Sequence, residues 1–154
     1  MEFYLFCDGA SRGNPGPAAC AAIIYRDSPD SDALLRFGKV LGTATNNVAE
    51  YQGLILGLEG LLDHLAKDGV APASVSLHIR MDSELIIRQL TGQYKVKHEA
   101  MKPLFARAKG ILSQFAAVRP EHVRREFNKE ADQLANRHLD GLASAVLGTH
   151  THVQ

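Results

Sequence analysis

Four acidic residues lie at the predicted ends of secondary-structure elements. Asp8 and Asp82 each end a predicted strand, whereas Glu50 and Asp132 lie in the first turns of two predicted helices. If the two strands are adjacent and parallel, both aspartates emerge at the same edge of the sheet, where loops build sites in open α/β proteins. The helix that carries Glu50 must cross the sheet near that edge, so that the carboxylates could meet.

Such a cluster predicts a site for divalent metal ions. Carboxylates without a partner repel each other, which raises their pKa values by several units. Oxygen ligands with open water positions suit Mg²⁺ or Mn²⁺, and two ions about 3.5 to 4 Å apart could clamp a phosphodiester. Taken singly, each acid is more often a solvated surface charge or a helix-dipole partner, so the interpretation depends on the surrounding motifs.

Each acid lies within a recognisable motif. The sequence reads CDGASRGNPGPA at 7–18, TNNVAEY at 45–51, MDS at 81–83 and NKEADQLAN at 128–136. In this order they resemble the four signatures of the type 1 ribonuclease H family, and the resemblance spans residues 3–139. One such motif would be a weak signal, whereas four in the family's order are specific.

The resemblance implies an endonuclease that hydrolyses the RNA strand of an RNA/DNA hybrid and leaves 5′-phosphate and 3′-hydroxyl ends. Carried over by position, it makes Asp8, Glu50, Asp82 and Asp132 the catalytic, metal-binding acids, which hold two Mg²⁺ or Mn²⁺ ions together with substrate. The alternative is a catalytically silent module that binds the hybrid or double-stranded RNA. Four mutually repelling acids favour the enzyme, since a binding surface would not need them.

The resemblance also implies a set of substrate-binding residues. Asn14, Asn46 and Gln52 match positions that contact the minor groove, where the RNA 2′-hydroxyl distinguishes the cut strand from DNA. Asn47 is expected to join them, and Thr45 matches a residue that grips a DNA phosphate. From the residues alone, each asparagine could equally be a helix cap or a turn former, and both roles can coexist.

The stretch after the third acid departs from many bacterial members of the family. They carry a basic protrusion there, whereas residues 91–98 of this chain run on quickly to the next helix, which is similar to the compact subgroup. Tyr94 could take the place of an aromatic platform against the DNA strand, with Lys95 and Lys97 at phosphates. Ordinary packing of Tyr94 explains the tyrosine equally well.

A second departure concerns the histidine that many members place before the last acid. Arg125 lies seven residues before Asp132 and matches the arginine of the compact subgroup. Because an arginine cannot act as a base at neutral pH, we expect an electrostatic role at the scissile or product phosphate. His122 is the alternative for this position.

Composition and charge fit one globular domain. The chain has 154 residues, 45% of them apolar, and residues 1–140 are expected to form the domain and 141–154 a loosely ordered tail. The formal net charge is zero, yet residues 88–129 hold ten Lys or Arg against three acids, which suits a phosphate-binding surface. Cys7 and Cys20 predict buried thiols in a reducing, cytoplasmic compartment, and we expect a monomer without membrane contact.

Apolar periodicity predicts an α/β fold, which the resemblance identifies as ribonuclease H-like. Strands are predicted at 3–8, 18–25, 34–41, 74–81 and 118–127, and helices at 49–66, 83–90, 100–116 and 129–139. Three antiparallel strands are followed by two that should lie parallel to the first, in a five-stranded mixed sheet flanked by helices. Thr45, Asn46 and Asn47 are capping types at the start of the first helix, and Asn47 with Glu50 resembles a capping pair. Asn128 is expected to cap the last helix, and a stripe of Gly53, Gly57 and Gly60 suggests close backbone contact.

Overall fold

Five strands form one mixed sheet in a computed structural model that describes residues 1–144. The strands are β1 (Glu2–Ser11), β2 (Gly16–Arg26), β3 (Leu35–Ala44), β4 (Ser76–Met81) and β5 (Ala117–His122). Their order across the sheet is β3-β2-β1-β4-β5. The first three strands are antiparallel neighbours, and β4 and β5 run parallel to β1, which confirms the predicted topology.

Four helices complete the fold. They are α1 (Asn46–Lys67), α2 (Glu84–Leu90), α3 (Lys102–Leu112) and α4 (Lys129–Ser144), with short 3₁₀ turns at Pro72–Ser74, Glu99–Met101 and Arg125–Phe127. The expected ends of α3 and β5 were wrong, because a 3₁₀ turn replaces the first turn predicted for α3 and another follows β5. Helix α4 runs past the expected end at Leu139, and residues 145–154 of the predicted tail lie outside the described residues.

The predicted capping pair of Asn47 with Glu50 was wrong. Of the capping residue types at 45–47, Thr45 caps α1, since its hydroxyl accepts a hydrogen bond from the Val48 backbone nitrogen at 3.2 Å. Asn128 directly precedes α4, but its Oδ1 accepts no hydrogen bond within the described residues, so its side chain does not cap the helix as expected.

Strand β2 lies between two apolar layers, one on each face of the sheet. Ala22 and Ile24 pack with β1, β4 and helices α1 to α3, whereas Ala21 and Ile23 pack against α4. Burial of both faces explains why the β2 segment reads as a continuous apolar run instead of an alternating one. Tyr25, at the end of this run, donates a hydrogen bond of 2.5 Å to Glu130 and so ties the first turn of α4 to the sheet.

The glycine stripe of α1 contacts the sheet directly. A Cβ at Gly53 would lie 2.6 Å from the carbonyl oxygen of Asp8, and one at Gly57 would lie 2.5 Å from the side chain of Leu5. A larger residue would push α1 away from β1, so this stripe sets the distance between them. Within residues 1–144, no helix is long and apolar enough to span a bilayer.

Candidate active site

The predicted acids converge at one end of the sheet. Asp8, Glu50 and Asp82 each offer a carboxylate oxygen, and these oxygens all lie within 4.8 Å of one another. Asp132 lines the same cavity. The cavity has a volume of about 290 Å³ and is lined by Asp8, Gly9, Ala10, Ser11, Asn46, Glu50, Asp82, Ser83, Arg125 and Asp132.

The sequence predicted that Asp8 ends its strand, but the structure places Asp8 within β1. It pairs with Ala21 of β2, and β1 continues to Ser11. On the other side of β1, however, the ladder with β4 stops at the pair Phe6 and Arg80. Asp8 and Asp82 therefore both lie just beyond the last paired residues of two parallel strands, which places them at the same edge.

Close backbone contact brings Glu50 to this edge. A Cβ at Gly9 would lie 2.3 Å from the backbone nitrogen of Glu50, so the first turn of α1 rests directly on the residue after Asp8. Together with Gly53, this contact leaves no room for a side chain at these two positions between α1 and β1. The Glu50 and Asp8 carboxylates are held near each other as a consequence.

The environment of the cluster raises the pKa values of two of its carboxyl groups, those of Asp8 and Glu50. Burial is the largest cause that raises the pKa of Asp8 from 3.8 to about 9, followed by the charge of Asp82 and the hydrogen bond with Asp132. Burial and then Asp82 raise the pKa of Glu50 from 4.5 to about 7, against a lowering hydrogen bond from Ser83 and the charge of Arg125. Divalent cations would reverse both effects by neutralising the cluster.

Two neighbours of the acids were not predicted as site residues from the sequence, in which Asn128 was expected only as a helix cap. Ser83 caps α2 by accepting a hydrogen bond from the Ile86 nitrogen at 3.3 Å, and it also hydrogen bonds to Glu50. Asn128 is 2% exposed, and its Nδ2 donates to the Cys7 carbonyl oxygen at 2.9 Å and to Asp82 Oδ1 at 3.4 Å. Both residues lie inside the motifs that surround the acids, and that position was the available signal.

Arg125 lies at the cavity, as expected for the residue seven positions before the last acid. Its Nε is 3.5 Å from Asp82 Oδ2, and its side chain is 83% exposed. His122 is at the end of β5 and does not line the cavity. The geometry therefore favours Arg125 over His122 as the basic residue beside the acids.

The polar loops beside the cavity are joined by hydrogen bonds from backbone nitrogens to asparagine side chains. Asn14 Oδ1 accepts from the Asn46 nitrogen at 3.1 Å, and Asn46 Oδ1 accepts from the Ser11 nitrogen at 3.1 Å. Asn46 lines the cavity, whereas Asn47 and Gln52 are half-buried on α1 outside it. Turn formation is thus part of the role of these asparagines.

The aromatic and basic residues after α2 lie away from the acids. Tyr94 is 47% exposed, with the Arg88 guanidinium 5.5 Å from the centre of its ring. Lys95 and Lys97 are exposed on the same segment, and none of the three lines the cavity. They could contact only a ligand that extends beyond the acidic cluster.

Known proteins share this architecture and much of the sequence. The family model described as reverse transcriptase-like matches residues 6–138. The bifunctional protein Rv2228c of Mycobacterium tuberculosis is 39% identical over 145 residues, which cover 94% of this chain. Ribonuclease HI of Halobacterium salinarum is 38% identical over 89% of this chain and 64% of its own length.

A solved structure extends the comparison to the fold. LC11-RNase H1, isolated from compost by a metagenomic approach, was crystallised in complex with an RNA/DNA hybrid. It is 37% identical to this chain with a TM-score of 0.82, and the match covers 92% of this chain and 99% of that structure. The chain spans only 37% of the length of Rv2228c. On fold, motifs and identity together, the chain belongs to the type 1 ribonuclease H family.

Proposed function

We propose that this protein is a metal-dependent endonuclease that hydrolyses the RNA strand of RNA/DNA hybrids and leaves 5′-phosphate and 3′-hydroxyl ends. The observation that carries the proposal is the convergence of three carboxylates within 4.8 Å in an open cavity. The fourth acid, Asp132, lines the same cavity. LC11-RNase H1, which shares 37% of its sequence with this chain, binds the same class of substrate.

The donor set fits Mg²⁺ or Mn²⁺. Asp8, Glu50, Asp82 and Asp132 offer carboxylate oxygens, the ligands that these ions prefer, and no cysteine or histidine is among the residues that line the cavity. Two such ions, when bound, would supply Lewis acidity at the attacking water and at the leaving 3′-oxygen. The four acids are therefore proposed as metal ligands and catalytic residues.

The chain contributes further charges around the phosphate. Arg125 reaches the cavity from the turn before α4, and its exposed guanidinium can bind the scissile or product phosphate. At this position a permanent cation stabilises negative charge without exchanging a proton. We assign Arg125 an electrostatic role in the reaction.

Selectivity for RNA would come from the asparagine loops. Because their Oδ1 atoms accept from backbone nitrogens, Asn14 and Asn46 keep their Nδ2 groups as donors, which have no partner among the described residues. Both side chains are exposed beside the cavity, where a minor-groove acceptor or a 2′-hydroxyl could bind. Asn47 and Gln52 would extend this surface along α1.

Phosphate contacts would position the hybrid on the protein. Thr45 stands at the start of α1 and could hold a DNA phosphate. Tyr94, Lys95 and Lys97 are exposed in the segment after α2 and would contact the DNA strand farther from the cut. They belong to the stretch 88–129, whose net charge of +7 suits a polyanion.

A cleavage assay distinguishes the enzyme from a silent binding module. The assay uses three end-labelled substrates: an RNA/DNA hybrid, an RNA duplex and a DNA duplex. Each is incubated with the protein and Mg²⁺ or Mn²⁺, and parallel reactions contain the Asp82→Asn variant instead. We expect cutting of the RNA strand of the hybrid that disappears in the variant. Binding of the hybrid without cutting would establish the silent module, and cutting of the RNA duplex would add a second substrate.

We further propose that residues 1–140 act as one monomeric catalytic domain in the cytoplasm. Cys7 and Cys20 are both buried free thiols, which a reducing compartment preserves. The large apolar side chains exposed within the described residues, Met1, Leu34, Tyr94 and Phe127, are scattered along the chain. Sedimentation of the purified protein at micromolar concentration tests the monomeric state.

A further inference from the structure

The parallel ladder between β1 and β4 ends before it reaches the acids. Its last pair is Phe6 opposite Arg80, and Asp8 and Asp82 each follow two residues later. Backbone pairs of this ladder therefore do not include the two aspartates themselves. A side-chain contact beyond the last pair can then influence the spacing of their carboxylates.

The side chain of Asn128 makes that contact. Its Nδ2 donates to the carbonyl oxygen of Cys7 at 2.9 Å and to Asp82 Oδ1 at 3.4 Å. The Cys7 carbonyl belongs to the peptide unit that leads into Asp8. A primary amide carries two N–H groups, so one side chain can bridge β1 and the Asp82 carboxylate.

The chemistry of the neighbours fixes the orientation of this amide. If the amide were flipped, Oδ1 would face a carbonyl oxygen and a carboxylate, both of which only accept hydrogen bonds. In the observed orientation, Oδ1 of Asn128 is buried and has no hydrogen-bond partner within the described part of the chain. A buried acceptor without a partner is costly, so Asn128 is held here for its two donors and not as a neutral filler of the core.

The main chain of the same residue extends the link to α4. The Asp132 nitrogen donates to the Asn128 carbonyl oxygen at 3.1 Å, and the Asn128 nitrogen donates to the Arg125 carbonyl oxygen at 2.9 Å. Asn128 thus contacts the strand that carries Asp8, the carboxylate of Asp82 and the first turn of the helix that carries Asp132.

We propose that the side chain of Asn128 is a positioning group that sets the spacing of Asp8 and Asp82 and thereby the affinity of the site for divalent cations. The inference rests on the proposed function, because it takes these acids as metal ligands. Asn128 acts through the ligands and does not touch the reacting atoms. Loss of such an outer partner typically weakens metal binding by about 10- to 100-fold.

Titration of the metal-free protein with Mn²⁺ alone, followed by calorimetry, tests this inference. Asn128→Leu keeps a similar side-chain size without donors, and Asn128→Ala removes the donors and leaves space. Leu65→Ala is the matched control, since Leu65 is fully buried about 22 Å along α1 from Glu50 and touches none of the acids. Circular dichroism and thermal unfolding of each variant establish that it is folded.

We expect both Asn128 variants to bind Mn²⁺ at least about ten-fold more weakly than the wild type, whereas Leu65→Ala loses stability but keeps the wild-type affinity. Cleavage by the Asn128 variants should fall at low Mn²⁺ and recover in part as Mn²⁺ is raised. A residue with only a structural role would not change the Mn²⁺ concentration that cleavage requires.

Two results would overturn the role of Asn128. Folded Asn128 variants with wild-type Mn²⁺ affinity would show that the amide does not set the site. If both variants fail to fold under conditions where Leu65→Ala folds, Asn128 supports the fold as a whole and not the spacing of the acids. A wild-type protein that neither binds Mn²⁺ nor cuts the hybrid would instead reject the proposed function, and this inference with it.

Discussion

Replacement of Asp8 by asparagine should abolish cleavage and at the same time stabilise the metal-free protein. At pH 7 the unfolded carboxyl, with its pKa of 3.8, is ionised, whereas the folded one, with a pKa of about 9, holds its proton. Between these two values the folded state binds the extra proton, so the free energy of unfolding of the wild type decreases as the pH rises from about 4 to about 9. Asparagine is neutral in both states and escapes this penalty.

The size of the gain follows from the distance between pH 7 and the unfolded pKa. About three pH units at about 1.4 kcal/mol each give an upper value of about 4 kcal/mol, and relaxation of the site reduces it to about 2 to 4 kcal/mol. For a domain of this size, that corresponds to a rise in the unfolding midpoint of roughly 5 to 15 °C. At pH 4.5 the gain should shrink to about 1 kcal/mol, because the unfolded carboxyl is then close to its own pKa.

Urea and thermal unfolding of wild type and Asp8→Asn in EDTA, at pH 4.5, 7 and 8.5, measure the effect. Asp63→Asn is the control, since Asp63 is 68% exposed on α1 and should change stability by no more than about 0.5 kcal/mol at any pH. Saturating Mg²⁺ should reduce the difference in stability between the two proteins, because Mg²⁺ binding stabilises the wild type more than the variant. Equal stability of the two proteins at pH 7, or a gain that does not grow with pH, would refute the electrostatic reasoning.

Three further outcomes follow from the geometry of the site. Arg125→Ala should slow cleavage about ten-fold or more. It should change the free energy of unfolding by under about 0.5 kcal/mol, because the side chain is 83% exposed. An unchanged rate in a steady-state cleavage assay would show that Arg125 takes no part in the reaction. Gly53→Ala should destabilise the protein by at least about 2 kcal/mol, because its Cβ would lie 2.6 Å from the Asp8 carbonyl oxygen. Gly110 lies in open space on α3, so Gly110→Ala should instead stabilise the protein by about 0.5 to 1 kcal/mol. The midpoints of urea unfolding of the two variants measure both effects. Binding of Mn²⁺ at pH 6 should release protons, since the pKa values of Asp8 and Glu50 are raised to about 9 and about 7, and calorimetry in buffers of different ionisation enthalpy would show no such release if the acids were already ionised.

The identity of the acids and the order of the strands were predictable from local patterns. Apolar periodicity separates strands from helices, and short antiparallel connections followed by helical crossovers leave few sheet topologies open. The motifs around Asp8, Glu50, Asp82 and Asp132 then single out these four acids, although Asp8 lies within β1 and not at its end as predicted. The structure confirms the five-stranded mixed sheet and brings the four acids to one cavity.

The exact ends of elements were less predictable, because tertiary contacts decide them. Thr45 and not Asn47 caps α1, and the segment after His122 leaves the sheet for a 3₁₀ turn. Several residues near each boundary have suitable local chemistry, and sequence spacing alone does not show which of them the packing selects. The same holds for Arg125 and His122, which differ by three positions but only one of which faces the cavity.

The sequence by itself determined which chemistry the chain could carry: four carboxylates of the type that binds divalent ions, in motifs whose order specifies one fold family. Only the tertiary structure decided how those ligands are held and charged. Burial raises the pKa of Asp8, and the ladder that stops short of Asp82 leaves the amide of Asn128 to bridge the gap. Burial and side-chain direction depend on residues far apart along the chain, so no local pattern encodes them, whereas residue type and periodicity are local and can be read directly.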